Sequence, residues 1–203
     1  MAKKSSHATW GGRYTAVGLV ASTGGPPALA KVLGGLPKSF SMPIFVVQHI
    51  GAPFVAGFAQ WLGSVSPLPV ELGRTGTSPR PGSVYVAPGE THMTVERGTI
   101  LLTGSPPACG QRPSGDVLFT ALATAYGSGA VGVLLTGMGE DGARGLLDMR
   151  RAGAYTIAEH ASTAVIHSMP GTAVRLGAAV EELPLPQISA RLLALASQQM
   201  EGV

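Results

Sequence analysis

The sequence has 203 residues, of which 45% are hydrophobic and 12% are charged, with a formal net charge of +3. This length suits one domain with a sizeable core. Scattered lysines and arginines make no basic stripe for nucleic acid, and no apolar run reaches the roughly 18 residues of a transmembrane helix. We therefore expect a cytoplasmic protein with no nucleic-acid partner and no membrane insertion.

The N-terminal part of the chain predicts a tail followed by a parallel sheet. Residues 1–14 contain lysines but no apolar core after them, which argues against a secretory signal and predicts a flexible basic tail. Apolar runs at 16–21 and 43–48 predict two buried strands, and residues 28–36 between them predict a helix. Two strands joined by a helix form a βαβ unit, which implies parallel pairing.

The turn after the first strand reads Ser22-Thr-Gly-Gly-Pro-Pro27. Glycine permits unusual backbone angles, and proline suits the first turn of a helix, so Ser22 is expected on a sharp bend at the carboxyl end of the strand. Three interpretations fit this stretch alone: a phosphate-binding turn, a nucleophilic serine, and a helix-capping serine. The specific nucleotide and α/β-hydrolase motifs are absent here.

The middle of the chain predicts short strands at 69–72, 83–87, 92–96 and 99–102, the last two joined as a hairpin at Arg97-Gly98. We expect the 83–102 region to be antiparallel. Residues 104–115 form a long loop, and Asp116 is expected to cap a helix over 117–126.

The C-terminal part returns to alternating strands and helices. Residues 130–135 predict a buried strand that ends in a second glycine-rich turn, which contains Asp141 and opens onto a helix at 143–151. A strand at 154–158 follows, then a partly helical stretch at 163–176 that is interrupted at 169–171, a short strand at 179–183 and a helix at 188–197. We predict a three-layer α/β fold, doubly wound, whose mostly parallel sheet carries an antiparallel hairpin insert.

Three polar residues follow strands of this predicted sheet. Ser22 ends the first strand, His49 ends the second, and Asp141 lies just past the strand at 130–135. Ligands of open α/β sheets bind outside the carboxyl ends of the strands, so these side chains can meet there. A serine nucleophile, a histidine base and a carboxylate that orients the histidine are the parts of an acyl-transfer site.

The remaining candidates have simpler interpretations. Cys109 is the single cysteine, which excludes an internal disulfide, and it lies in a loop without an obvious base. His92 either lines the same cleft or starts a strand. His160 and His167 lack metal-ligand spacing to a third residue, so we predict neither a metal site nor a cofactor.

Five segments occur in the order seen in one known family, and together they cover roughly residues 15–195. The chain resembles the catalytic domain of the bacterial chemotaxis protein-glutamate methylesterase (CheB) family in Val20-Ala-Ser-Thr-Gly-Gly-Pro26, Val47-Gln-His49-Ile50, Tyr85-Val-Ala-Pro-Gly89, Arg112-Pro-Ser114 and Leu135-Thr-Gly-Met-Gly-Glu-Asp-Gly-Ala143. The resemblance implies Ser22 as nucleophile, His49 as base and Asp141 as its orienter. It also implies an oxyanion site at the backbone N–H of Met138, with Thr23 close by.

The resemblance further implies hydrolysis of glutamyl methyl esters on chemoreceptor helices to glutamate and methanol, and in many members deamidation of receptor glutamines. We expect a catalytic domain over residues 15–198, acting on methylated chemoreceptor helices as a monomer. Two alternatives stay open: an esterase or amidase with another substrate, and a non-catalytic receptor-binding domain.

The chain departs from the family pattern at three places. The receiver domain that usually precedes this domain is not found ahead of residue 15, which also fits an excised domain of a longer protein. Val20 stands where glycine is usual, and Gln111-Arg-Pro-Ser-Gly-Asp116 stands where His-Arg-Pro-Ser-Val-Asp is usual.

Overall fold

The sheet of the computed structural model, which describes residues 14–197, is built around β1 (Ala16–Ala21), whose six residues are all buried. β1 lies between β2 (Ile44–Gln48) and β7 (Ala130–Leu134), and it pairs in parallel with both. A continuous apolar strand needs cover on both faces, which is the usual situation of parallel strands in α/β proteins. The uninterrupted apolar run of β1 therefore suits the centre of the sheet.

Four further strands complete the sheet: β3 (Val70–Leu72), β4 (Val84–Val86), β8 (Tyr155–Glu159) and β9 (Glu181–Leu183). The order across the sheet is β3-β4-β2-β1-β7-β8-β9, and every neighbouring pair is parallel. Strand order reverses at β1, with β2 on one side and β7 on the other. In such sheets a binding crevice forms at the carboxyl ends of the strands beside the reversal.

Helices cover both faces of the sheet and create two separate apolar cores. One face carries α1 (Gly25–Gly34), α2 (Ala52–Val65) and α6 (Leu185–Ser197). The other carries α3 (Gly115–Tyr126), α4 (Ala143–Arg151) and α5 (Ser168–Arg175), and a short 3₁₀ turn at Gly127–Gly129 leads from α3 into β7. The predicted three-layer, doubly wound fold is confirmed. Within residues 14–197 no helix is both long and apolar enough to cross a membrane.

The predicted hairpin is also confirmed. β5 (His92–Glu96) and β6 (Thr99–Thr103) form a separate antiparallel pair, with Arg97 and Gly98 at positive φ in the turn, and β5 packs on α3. The wider expectation that residues 83–102 are antiparallel is wrong for β4. This strand is buried throughout and pairs in parallel with β2 and β3 inside the main sheet.

The prediction that residues 169–171 interrupt a helix is wrong, because Pro170 lies in the first turn of α5, where its missing N–H leaves no helical hydrogen bond unmade. The predicted tail, residues 1–14, lies outside the described residues except for Tyr14. The Tyr14 ring packs edge-on against Tyr155, with ring centroids 6.1 Å apart.

Candidate active site

Ser22 and His49 stand side by side, each one residue beyond the end of its strand. The β1–β2 pairing ends at Ala21 and Gln48, and the His49 N–H donates to the Ala21 carbonyl at 3.0 Å. β7 lies on the other side of β1, and the turn that follows β7 carries Asp141. The structure thus places all three predicted residues at one edge of the sheet.

His49 and Asp141 form a nearly buried pair. Nε2 of His49 lies 2.8 Å from Oδ2 of Asp141, and the two side chains are only 7% and 3% exposed. An ionised carboxylate can only accept, so in the neutral imidazole Nε2 carries the proton and Nδ1 holds the free lone pair. Nδ1 is buried and makes no hydrogen bond. The ring therefore has one nitrogen held by the carboxylate and the other available to accept a proton.

Asp141 is held at the N-terminus of α3. Its Oδ1 accepts from Ser114 Oγ at 2.7 Å and from the Asp116 N–H at 3.1 Å, and its Oδ2 also accepts from the Gly115 N–H at 2.6 Å. Burial alone would raise the pKa of Asp141. The hydrogen bonds from His49, Ser114 and the two backbone N–H groups outweigh it and hold the pKa below its ordinary value. The carboxyl group therefore stays ionised beside His49.

The cap of α3 differs from the sequence prediction. We expected Asp116 to cap this helix, but Ser114 is the N-cap residue and its Oγ accepts from the Val117 N–H. Asp116 instead accepts from the Gly145 N–H at 2.7 Å, which joins α3 to α4. A serine three residues before Val117 is an ordinary N-cap signal, so Ser114 was recognisable as a cap. Its contact with Asp141, 27 residues away, was not.

The turn at Ser22 packs tightly against the turn that follows β7. The Ser22 N–H donates to the Thr136 carbonyl at 3.0 Å, and Gly24 has a φ of 80°, which favours glycine. A Cβ at Gly137 would lie 2.8 Å from the Ser22 Cβ. Among the described residues no hydrogen bond joins Ser22 to His49. Catalytic hydrogen bonds often shorten only when substrate binds, so this geometry is compatible with a nucleophile–base pair.

Thr23 and Met138 lie on the two turns that flank Ser22. Both side chains are exposed, Met138 by 68%. The Thr23 carbonyl accepts from Thr136 Oγ1 at 2.9 Å, and the Gly137 N–H donates to the Ile166 carbonyl. Within the described part of the chain the N–H groups of Thr23 and Met138 make no hydrogen bond to protein. They are free donors at the sheet edge.

Two of the departures from the family pattern contact each other. Val20 stands where glycine is usual, and Gly115 stands where valine is usual. A Cβ on Gly115 would lie 2.5 Å from Val20 Cγ1, closer than real atoms approach. The space that the larger residue takes at position 20 is left open at position 115, and the Gly115 N–H keeps its bond to Asp141. The exchange therefore preserves the carboxylate's surroundings.

This contact predicts a strong coupling between the two positions. Gly115→Val alone should lower the free energy of unfolding by about 1–3 kcal/mol, because it overpacks the site against Val20. Combining it with Val20→Gly should recover part of that loss, with an interaction energy of about 0.5–3 kcal/mol. Urea denaturation of the four proteins measures the cycle, and strictly additive changes would contradict the contact.

Cys109 lies close to the Asp141 carboxylate but is poorly suited to nucleophilic chemistry. Its Sγ donates to Asp116 Oδ2 at 3.3 Å. Burial, then the hydrogen bond to Asp116 and the negative charges nearby, raises the pKa of the thiol to about 11. Ligand atoms of Cys109, Asp116 and Asp141 lie within 4.8 Å of one another. Because hydrogen bonds within the protein already use these groups, we assign no metal to them.

Replacing this thiol should therefore change activity little. We expect Cys109→Ala to keep kcat within about twofold, because a thiol with so high a pKa supplies almost no thiolate near neutral pH. Ester-hydrolysis rates of the two proteins at pH 7 measure this. A loss of a hundredfold or more in a folded variant would point to a thiol mechanism instead.

Within residues 14–197, the remaining histidines make no hydrogen bond or ion pair with Ser22, His49 or Asp141. His92 begins β5 and is buried; its Nδ1 accepts from the Ser114 N–H at 3.2 Å, and its Nε2 lies 3.1 Å from the Pro106 carbonyl. It therefore starts a strand and also supports the residue that holds Asp141. His160 contacts Ser162, and His167 lies 3.3 Å from Glu182.

The fold and this edge define a doubly wound α/β protein whose serine, histidine and aspartate gather beside the strand-order reversal. A family model described as CheB methylesterase matches residues 17–192. The chain belongs to the CheB methylesterase family.

Individual relatives agree with this membership. Protein-glutamate methylesterase/protein-glutamine glutaminase 2 of Paramagnetospirillum magneticum is 49% identical over 185 residues, which cover 91% of this chain and 53% of the relative. Its counterpart in Nitrosospira multiformis is 50% identical over 182 residues, covering 89% and 51%. The chain thus spans about half the length of these curated relatives.

A solved structure shows the same fold. The crystal structure of the Thermotoga maritima CheB methylesterase catalytic domain superimposes with a TM-score of 0.86 at 36% identity. The match covers 89% of this chain and 98% of that one. The likeness therefore extends over nearly the whole of the solved catalytic domain.

Proposed function

We propose that this chain is a serine carboxyl-ester hydrolase that removes methyl groups from glutamate methyl esters of chemoreceptors. Ser22 is the nucleophile, His49 the general base and Asp141 the residue that orients His49. The observation that carries the proposal is the buried His49–Asp141 pair beside Ser22, with Nδ1 of the imidazole left unpaired. Family membership supports the reaction type.

Acylation follows from this arrangement. As Ser22 Oγ attacks the ester carbonyl, His49 Nδ1 takes the hydroxyl proton, and the Asp141 carboxylate stabilises the imidazolium that forms. The tetrahedral intermediate then collapses: the bond to the methoxy oxygen breaks, and that oxygen takes the proton from Nδ1 and leaves as methanol. The glutamyl group remains bound to Ser22 as an ester.

The developing oxyanion needs donors that are not already engaged. The N–H of Met138 is free and sits on the turn packed against Ser22, and the free N–H of Thr23 follows Ser22 in the chain. We assign the oxyanion site to Met138, with Thr23 beside it. Preorganised donors of this kind contribute about 2.7–4 kcal/mol of transition-state stabilisation each.

Deacylation repeats the steps with water. His49 Nδ1 removes a proton from water, which attacks the acyl carbonyl, and glutamate leaves as Ser22 regains its proton. A glutamine side chain can form the same acyl-enzyme with ammonia as the leaving group. The names of the relatives include protein-glutamine glutaminase, which favours deamidation as a second activity of this site.

We further propose residues 15–198 as the catalytic domain and methylated chemoreceptor helices as its partner. The family model supports these domain bounds, because its match covers residues 17–192. We propose that the domain acts as a monomer in the cytoplasm.

Methanol release tests the proposed substrate. The chain should release methanol from a receptor cytoplasmic fragment that carries methyl-labelled glutamates, at a rate well above its hydrolysis of a generic ester. Adding the same fragment with glutamine at those positions tests deamidation by ammonia release. Hydrolysis of the generic ester alone would show an esterase with another substrate, and binding without either product would show a receptor-binding domain.

A further inference from the structure

Gln48 connects the two residues that react. It is the last residue of β2 and is only 4% exposed. Its amide nitrogen Nε2 lies 2.9 Å from the carbonyl oxygen of Ser22 and 3.0 Å from that of His49. The Gln48 amide thus donates two hydrogen bonds, one to the carbonyl of Ser22 and one to the carbonyl of His49.

The amide orientation follows from its partners. Both partners are carbonyl oxygens, which only accept, so the NH₂ group must face them. The opposite orientation would bring a third oxygen against the two carbonyls and leave no donor between them. The chemistry of the two partners therefore places the amide nitrogen, and not the oxygen, between the two carbonyls.

The sheet ladder reaches His49, whose N–H donates to the Ala21 carbonyl at 3.0 Å, but it makes no hydrogen bond between His49 and Ser22. The β1–β2 pairing ends one residue earlier, at Ala21 and Gln48. The Ser22 N–H donates to the Thr136 carbonyl, on the side of β7. The Ser22 carbonyl accepts from the Gly25 N–H within the turn that follows β1. Among the described residues, Gln48 alone joins Ser22 to His49 by hydrogen bonds.

The cost of this arrangement argues against a purely structural role. The Gln48 Oε1 is buried and has no hydrogen-bond partner. A Cβ at Gly25 would lie 1.9 Å from it, so Gly25 leaves the room that the side chain needs. Most buried polar atoms in native proteins are paired, and an unpaired one requires an explanation.

We propose that Gln48 is a positioning residue: its side-chain amide clamps the carbonyls of Ser22 and His49 and so sets the distance between nucleophile and base. This rests on the proposed function, because it presupposes that these two residues react together. The sheet supplies the rough placement, and the amide adds a direct link at the residue pair where the ladder stops.

Two variants test the clamp. Gln48→Met keeps the length and approximate volume of the side chain but removes both donors. Gln48→Glu places a carboxyl group against two carbonyls; protonated, it can still donate one hydrogen bond. We expect Gln48→Met to lower kcat by about 100-fold with KM nearly unchanged, because small misplacements at a reacting centre have effects of that size. Gln48→Glu should regain activity, relative to wild type at the same pH, as the pH falls.

Thr156→Val is the matched control. Thr156 is fully buried in β8, and its Oγ1 donates to the Ala178 carbonyl at 2.6 Å, away from Ser22 and His49. This variant also loses a buried side chain–backbone hydrogen bond, so it should lower the melting temperature without changing kcat.

Covalent labelling of Ser22 tests the role of Gln48 without depending on the proposed substrate. A fluorophosphonate reacts with an activated serine: the Oγ–phosphorus bond forms, fluoride leaves, and the serine proton passes to the base. The labelling rate of Ser22 should fall in Gln48→Met by about the same factor as kcat. If wild type is labelled but releases no methanol, the proposed substrate is wrong and the labelling rates alone decide the clamp. If folded Gln48→Met is labelled and turns over within twofold of wild type, the clamp is wrong.

Discussion

Ser22→Ala is expected to lower kcat for methanol release by on the order of 10³–10⁶. The variant lacks the hydroxyl that must attack the ester, so no acyl-enzyme can form. The remaining hydrolysis would come from substrate binding and from the free donors of Met138 and Thr23 acting on a water molecule. Initial rates with the methyl-labelled receptor fragment measure the change.

A double variant tests whether Ser22 and His49 take part in the same step. Ser22 and His49 act as a unit, so Ser22→Ala/His49→Ala should be scarcely slower than either single variant. Neither change opens a large apolar cavity, so circular dichroism should show that the variants remain folded. A folded Ser22→Ala that kept most of its esterase activity would show that Ser22 is not the nucleophile.

Asp141→Asn should lower kcat by on the order of 10³–10⁴, at the low end of the range for the triad changes. An amide NH₂ next to Nε2 favours the imidazole tautomer whose proton lies on Nδ1, and that tautomer cannot take the serine proton. In either orientation the amide NH₂ group also faces a backbone N–H, that of Gly115 or that of Asp116, so two hydrogen-bond donors oppose each other. Asp148→Asn is the matched control, because the Asp148 carboxylate is half-exposed and accepts a hydrogen bond from the Thr120 hydroxyl at the surface. Equal losses in the two variants would contradict the role of Asp141.

The lowered pKa of Asp141 adds a stability signature. A carboxyl group whose pKa is lower in the folded protein stabilises it above the unfolded-state pKa of about 4, and that contribution is lost as pH falls through the folded-state pKa. Wild type should therefore be more stable than Asp141→Asn at pH 6–7, and the difference should shrink below about pH 4. Urea denaturation across this range measures it, and a difference that grows on acidification would contradict the assignment.

Much of the fold could be predicted because it depends on local patterns. The buried run of β1 and the Gly-Gly-Pro-Pro stretch at α1 carry their own signals of strand, turn and helix start. The pairing direction of β4 could not be predicted, because three apolar residues, Val84–Val86, do not reveal the direction of their partner strands. Pairing direction depends on where the chain arrives after α2, which no short window of sequence contains.

The candidate site divides in the same way. Ser22, His49 and Asp141 could be proposed because each follows a predicted strand or glycine-rich turn, and parallel strands end at one edge. The contacts of Ser114 with Asp141 and of Gln48 with Ser22 could not, because both cross between elements far apart in the chain. The sequence shows Val20 and Gly115 as two separate departures from the family pattern. Their contact appears only in the folded structure.

Identification of the acylated residue is the strongest test of Ser22 as the nucleophile. Enzyme is mixed with the methyl-esterified receptor fragment, quenched in acid during the first turnovers, and digested with trypsin. The proposed mechanism predicts that the peptide of residues 14–31, whose single serine is Ser22, carries the tryptic substrate peptide that held the methyl ester, less the mass of methanol. Ser22→Ala should show no such adduct. An adduct on Cys109 or on any other residue, with Ser22 unmodified while methanol is released, would contradict it.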